Sequence, residues 1–254
     1  MESNIKYEKT YLNEVLFKIE FPHILKLYTT DKDAAEEFQN IVYKEFPEPI
    51  FNTNKTINFQ VDPLTGLPIS KEDSEHLIWQ FCNDEKGKKL ELSADSLSLS
   101  YEGNFYSGFE DFKKDVNLAL KGLEKYPISE IKFLGLRYIN QIKIDNYDKI
   151  DDFINSNIHL VNNSFVNENL IQSLSRVELK FNDYILAFQF GQFNPEYPSV
   201  YSQKDFILDY DCYLNIKEDF ENIISNLEEM HSIICDKFED SIENGLRDMM
   251  GVKE

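Results

Sequence analysis

Segments in which apolar and polar residues alternate recur along the chain, and they predict strands. In the segment 13–21, Val15, Phe17, Ile19 and Phe21 fall on one face of an extended chain. Turn residues such as Asn182-Asp183 separate neighbouring segments and favour antiparallel hairpins. The segments predicted as strands are 13–21, 56–61, 76–83, 89–94, 96–101, 131–144, 173–181, 184–190 and 206–215, and the Pro- and Gly-containing segment 62–68 is predicted as a loop.

Apolar residues at helical spacing predict helices over 31–46, 109–126 and 218–250, with a short helix at 151–157. The segment 218–250 is predicted as one long C-terminal helix that ends at Gly251, and Gly245 marks a potential kink inside it.

The order of these elements predicts an α+β fold made of two similar halves. A strand, a helix, several antiparallel strands and a second helix occur in that order twice, and the break falls near Pro127. We therefore expect an N-terminal half at 1–127 and a C-terminal half at 128–254, each a curved antiparallel sheet covered by helices. The layout is similar to the helix-grip or TATA-binding-protein type, a likeness that implies no function. We expect the halves to pack as one compact unit and to share a sheet through the strand 131–144.

The charge of the chain limits its partners. The 254 residues carry a formal net charge of −20, with a pI of about 4.6. Nucleic acids and anionic membranes are bound through Lys and Arg, so direct binding to either is disfavoured and a basic protein partner is favoured. Three widely spaced cysteines, no secretion signal at the N-terminus and no apolar run of about 20 residues predict a reduced, cytoplasmic protein.

Several short blocks of the sequence resemble a sporadically distributed prokaryotic family of about this length, to which no activity is assigned. The most specific block is Gly135-Leu136-Arg137-Tyr138-Ile139-Asn140. The patchy distribution of that family implies mobile, toxin-type or antiviral defence gene neighbourhoods. The other matching blocks are Asn13-Glu14-Val15, Trp79-Gln80-Phe81, Leu90-Glu91-Leu92-Ser93, Ser96-Leu97-Ser98-Leu99, Tyr106, Phe109-Glu110-Asp111-Phe112 and Ile207-Leu208-Asp209-Tyr210-Asp211.

The rarity of arginine identifies candidate binding residues. Only Arg137, Arg176 and Arg247 are arginine among 26 basic residues. Arginine is needed where a planar fork pairs with a carboxylate or phosphate, or stacks on an aromatic ring. We therefore predict that Arg137 and Arg176 bind a ligand or partner, together with two motif residues, Tyr138 and Asn140. The alternative is an ionic network with nearby acids that only fixes strand register. Gly135 fits either interpretation, because a strand position without a side chain allows close approach.

Two short acidic motifs support an enzymatic alternative. Glu178 and Lys180 form an E-x-K motif, and Asp209 and Asp211 form a D-x-D motif; both occur in metal-dependent nucleases and phosphoryl-transfer enzymes. Such motifs also arise by chance on amphipathic strands. The sequence contains no phosphate-binding, dinucleotide-binding, serine-hydrolase or zinc-protease motif, and it predicts no cofactor and no metal.

The sequence therefore favours a non-enzymatic accessory protein that acts through protein–protein interaction. A metal-dependent nuclease or phosphoryl-transfer enzyme and a helix-grip protein that binds a small molecule stay open as alternatives. A homo-oligomer also stays open.

Overall fold

Strands and helices alternate along the part of the chain that a computed structural model describes, residues 6–28, 33–61, 68–144, 147–163, 170–198, 205–215 and 217–252. In chain order, the elements are β1 Leu12–Glu20, α1 Asp33–Val42, β2 Glu48–Val61, β3 Pro68–Asn83, β4 Lys88–Ser93, β5 Ser96–Glu102, α2 Phe109–Leu123, β6 Glu130–Ile131, β7 Phe133–Lys143, α3 Ser156–Asn163, β8 Ser173–Phe181, β9 Tyr184–Phe193, β10 Asp205–Leu214, β11 Glu218–Asp219, α4 Ile223–Ser241 and α5 Asn244–Met250.

Nine of the described strands form one antiparallel sheet, in the order β2-β3-β4-β5-β1-β7-β10-β9-β8. β1 and β7 are neighbours near its centre, with Val15 opposite Tyr138, and β7 also pairs with β10, with Tyr138 opposite Tyr210. β6 and β11 form a separate two-stranded ribbon. The α+β prediction with a large antiparallel sheet is confirmed, and β7, the first long strand after Pro127, pairs with both β1 and β10.

One face of the sheet, which we call the inner face, holds the core under the helices. Its β7 residues are Leu134, Leu136, Tyr138 and Asn140, all buried. The α4 helix packs on this face, because its Phe238 meets the ring of Tyr210 edge-on at 6.4 Å. The alternation of apolar residues predicts this face correctly, since every second side chain of a strand points to the same side.

The opposite face, which we call the outer face, carries the intervening side chains. It combines charged and polar residues with small, aliphatic and aromatic ones, and most of them are half-buried or buried along β1, β7, β10 and β9. Strand register assigns to it Leu16 and Lys18 of β1, Gly135, Arg137 and Ile139 of β7, Asp209, Asp211 and Tyr213 of β10, Ala187 and Gln189 of β9, and Arg176, Glu178 and Lys180 of β8.

The long C-terminal helix is two helices in the structure. Residues 218–219 are a strand, α4 ends at Ser241, and α5 begins at Asn244. Ile242 between them has φ −112° and ψ 155° and forms a β-bridge with Ile154. The break precedes Gly245, whose added Cβ would lie 2.5 Å from the carbonyl oxygen of Asp152. Helical spacing continues across the break because both helices place apolar residues against the same core.

Four other predicted elements differ from the structure in their boundaries. β2 begins at Glu48 and β3 begins at Pro68, so both strands are longer than predicted. α1 is shorter than predicted, and the short helix at 151–157 is a 3-10 turn at Tyr147–Asp152 followed by α3. Most of the loop predicted at 62–68 lies outside the described residues.

A buried polar cluster links the inner face to α2 and α4. The hydroxyl of Tyr138 lies 2.8 Å from the hydroxyl of Tyr106 and 3.1 Å from Nδ1 of His231. The His231 ring stacks on Phe109 of α2, with centroids 3.8 Å apart and planes 7° apart. The next turn of α4 places Sγ of Cys235 3.6 Å from the His231 ring. Burial lowers the pKa of His231 to about 4 and raises the pKa of Cys235 to about 12, so both groups are neutral at pH 7.

The depressed pKa of His231 predicts a specific acid sensitivity. An unfolded histidine takes up its proton near pH 6.5, whereas folded His231 stays neutral down to about pH 4. Its contribution to stability is therefore complete above pH 6.5 and is lost as the pH falls from 6.5 to 4. Between pH 7 and 4.5, we expect the urea-derived unfolding free energy to fall by about 2 to 3 kcal/mol more in the wild type than in His231→Gln.

The control for this measurement is His23→Gln, because His23 is exposed and lies outside the buried polar cluster. This variant should keep the wild-type slope of stability against pH. Equal slopes for His231→Gln and the wild type would show that His231 does not carry the effect.

Candidate functional site

The centre of the outer face carries a two-point ion pair between neighbouring strands. Arg137 donates from Nε to Oδ1 of Asp209 at 2.8 Å and from Nη2 to Oδ2 at 2.7 Å. The Arg137 side chain is 40% exposed, whereas that of Asp209 is 9% exposed. The hydrogen bond to Asp209 raises the pKa of Arg137 above its ordinary value. This geometry uses the planar fork that lysine lacks, as the rarity of arginine predicts.

Asp211 lies directly opposite Arg137 in the strand register, yet the Arg137 fork is turned to Asp209. Within the described ranges, the Asp211 carboxylate accepts no hydrogen bond. Burial raises the pKa of Asp211, against the opposing effect of the Arg137 charge, and the nearby charge of Asp209 raises it further. The site therefore holds a half-buried carboxylate that no donor among the described residues binds.

Arg176 faces this carboxylate from the far side of β9. Ala187 of β9 lies between Asp211 on one side and Glu178 on the other, so only a methyl group separates the two acids across the face. Arg176 pairs with Glu178 of its own strand at 3.1 Å, and both side chains are more than half exposed. Two strand spacings separate β8 from β10, about 10 Å, so Arg176 acts on Asp211 through its charge and not by contact.

An aromatic pair flanks the charged cluster. The ring of Phe133 stacks on Tyr213, with centroids 5.9 Å apart, and Nζ of Lys18 lies 5.9 Å from the Phe133 centroid. A Cβ added to Gly135 would lie 2.9 Å from the Phe133 ring. The close approach that the missing side chain allows is therefore made by Phe133, two residues earlier on the same strand.

The four predicted binding residues do not form one set. Arg137 and Arg176 lie on the outer face, but Tyr138 and Asn140 lie on the inner face, where they are 6% and 5% exposed. Tyr138 belongs to the cluster with His231, and Nδ2 of Asn140 donates to the carbonyl oxygen of Leu208 at 3.2 Å. The sheet backbone separates the two pairs, because consecutive residues of a strand point to opposite sides.

The four residues of the enzymatic alternative share the outer face without meeting. Glu178 and Lys180 lie on β8, whereas Asp209 and Asp211 lie on β10, and β9 runs between them. Glu178 is paired with Arg176, and Asp209 is paired with Arg137. Among the described residues, no group of three or more His, Cys, Asp or Glu side chains could hold a metal ion.

Sequence reasoning missed Phe133, Tyr213 and Ala187 as parts of this site. The pairing of β7 with β10 and of β10 with β9 places these residues beside Gly135 and Asp211, and that pairing is not visible in the sequence. Phe133 alone had a local signal, since it lies two residues from Gly135 and therefore on the same face.

Comparison with known proteins gives no further guide to the site. No protein-family model matches the chain, and no curated protein matches it. In the part of the chain that the structure describes, no helix is long and apolar enough to cross a membrane.

Proposed function

We propose that the protein is a non-enzymatic accessory protein that binds a basic protein partner through its outer face at Asp211. The observation that carries this proposal is the Asp211 carboxylate, which is half-buried and accepts no hydrogen bond among the described residues. A lysine or arginine side chain of a partner would supply both the missing donors and the opposite charge.

The guanidinium of Arg137 does not supply these hydrogen-bond donors to Asp211. Both Nε and Nη2 of Arg137 donate to Asp209, so the guanidinium closest to Asp211 in the strand register is turned away from it. A lysine or arginine of a partner would form a charge-assisted hydrogen bond to this carboxylate, which is stronger than a bond between neutral groups.

The surroundings of Asp211 fit a protein partner. Phe133 and Tyr213 offer aromatic surface beside the carboxylate, and aromatic residues supply much of the binding energy at protein interfaces. The net charge of −20 would attract a basic partner and speed its association. The same charge opposes a polyanion, so direct binding of nucleic acid does not fit.

The strand connectivity supports a proposal about the architecture as well. Within the nine-stranded sheet, the first strand of the N-terminal part, β1, pairs with its last strand, β5, and the first strand of the C-terminal part, β7, pairs with its last strand, β10. The remaining strands run outward from each pair as a meander. We propose that 1–127 and 128–254 are two copies of one unit in the layout of the TATA-binding-protein type.

The resemblance of the Gly135–Asn140 motif supports a proposal about context. We propose that the partner is encoded in the same defence or toxin-type locus. A basic toxin or nucleic-acid-acting protein in such a locus would match the charge of the outer face.

In the part of the chain that the structure describes, neither alternative has a supporting observation. The enzymatic one needs Glu178 and a second acid at one metal site, and β9 separates them. The small-molecule one needs an enclosed apolar pocket. The cleft that Lys89, Ser100 and Glu102 help to line is polar and open to solvent.

Asp211→Asn tests the proposal, because it removes the charge and keeps the shape of the side chain. We expect the affinity for the retained partner to fall by roughly 30-fold or more, since a hydrogen-bonded interfacial charge is lost. We also expect the unfolding free energy at pH 7 to stay equal or to rise slightly, because the pKa of Asp211 is raised in the folded state and its charge is therefore unfavourable there. The measurements are purification of the tagged protein from its native host, titration of the retained partner at several salt concentrations, and urea unfolding.

Asp248→Asn is the matched control, because Asp248 is exposed on α5 and distant in sequence from the site. It changes the net charge by the same amount and should keep the partner. Retention of the partner by Asp211→Asn, or a clear loss of stability in that variant, would contradict the proposal and support an ionic network that only holds the strands in register.

A further inference from the structure

The edge strand β8 presents an unusual charge pattern to solvent. β8 is the last strand in the order of the sheet, and among the described strands it pairs only with β9. Its middle residues are exposed: the side chains of Arg176 and Glu178 are 52% and 55% exposed, and Val177 is 40% exposed. A strand edge with unpaired backbone groups is a template for another strand.

The hairpin geometry determines which backbone groups point outward. Phe181 and Tyr184 close a two-residue turn in which Asn182 has φ 53°, so they form a hydrogen-bonded pair. Hydrogen-bonded and non-hydrogen-bonded pairs alternate along an antiparallel ladder. Val177 therefore bonds to β9, and the outward N–H and C=O groups belong to Leu174, Arg176, Glu178 and Lys180.

Two copies of β8 can pair antiparallel about a two-fold axis. Three registers place that axis near the middle of the strand, and each is defined by the residue that lies on the axis. An axis at Arg176 places arginine opposite arginine. An axis at Glu178 places glutamate opposite glutamate and Arg176 opposite Lys180. An axis at Val177 places Arg176 opposite Glu178 on both sides of the axis. Of these three, only the last pairs opposite charges, and it also pairs outward backbone groups with outward backbone groups. An axis at Leu179 would place Glu178 opposite Lys180, but it overlaps only residues 177–181 of each strand, whereas the axis at Val177 overlaps all of β8.

We propose that β8 is a dimerisation edge at which a second copy of this chain pairs antiparallel, with the two-fold axis at Val177. The two nine-stranded sheets would then continue as one. The Val177 side chains of both copies would lie side by side, with Cα atoms about 4.5 Å apart, and would bury apolar surface that the single chain exposes. Such an interface is isologous, since each residue of one copy meets its counterpart in the other.

The charges on β8 select this partner. Charged residues on an edge strand usually prevent pairing with other strands. Arg176 and Glu178 already form an ion pair within one strand, with an N···O distance of 3.1 Å. In the dimer, Arg176 would also lie opposite Glu178 of the second copy, and Glu178 opposite Arg176, so each charge would gain a second neighbour of opposite sign. A strand without this pattern would place like charges together. The edge thus excludes general aggregation while it accepts its own copy.

The dimer is independent of the partner proposed for Asp211. That partner meets β7 and β10 on the outer face, whereas the second copy meets the edge of β8, two strands away from β10. Either interaction could fail without the other, and each has its own readout.

Charge reversal tests the register directly. Arg176→Glu alone would place acids opposite acids, and Glu178→Arg alone would place bases opposite bases. Each variant should be monomeric by sedimentation and light scattering, near 29.9 kDa, whereas the wild type should approach twice that mass as its concentration rises. An equal mixture of the two variants should form a dimer, because both facing pairs then combine opposite charges.

The mixture also controls for misfolding, since misfolded variants would not recover a dimer. A wild type that stays monomeric at its highest soluble concentration would overturn the proposal. Single variants that still dimerise, or a mixture that stays monomeric, would overturn it as well.

Discussion

The two faces of β7 are the constraint on which the rest of the structure depends. β7 lies between β1 and β10, so its backbone is committed to pairing on both edges and its side chains must alternate between two environments. Tyr138 enters the core beneath α2 and α4, whereas Arg137 stays on the outer face with Asp209. One strand therefore stabilises the fold with one set of residues and forms the candidate site with the other.

The electrostatics of the outer face follow from that alternation. Asp209 and Asp211 are two residues apart on β10, so they share a face and compete for the same arginine. The fork of Arg137 binds Asp209 at two points, which leaves Asp211 half-buried with its pKa raised. Two of the neighbouring residues are small, since Ala187 lies beside Asp211 and Gly135 lies beneath the ring of Phe133. The Asp211 carboxylate on this face can therefore accept hydrogen bonds from a partner, because no donor among the described residues binds it.

The sequence predicts the strands and the inner face well, because burial of one face imposes a period of two on residues such as Val15, Phe17 and Ile19. It does not predict which strands are neighbours, so it could not separate Arg137 from Tyr138 or show that β9 divides Glu178 from Asp211. Nor did it predict that Lys88 is buried, with a side chain 3% exposed that bonds to Asp115 and Glu45. The partners that stabilise such a buried charge are distant in sequence, so local sequence patterns do not reveal them.

Arg137→Lys is the most direct test of the claim that the outer face binds and the inner face stabilises. Lysine keeps the positive charge but lacks the fork, so its ammonium group can turn to Asp211 and satisfy it. The account predicts that Arg137→Lys loses the partner and lowers the urea-derived unfolding free energy by about 1 to 3 kcal/mol, because the buried Asp209 carboxylate loses its two-point pair. Arg247→Lys, which removes the guanidinium fork that binds Glu239, should keep the partner. Full retention of the partner by Arg137→Lys would contradict the account and make the Arg137–Asp209 pair a purely structural link.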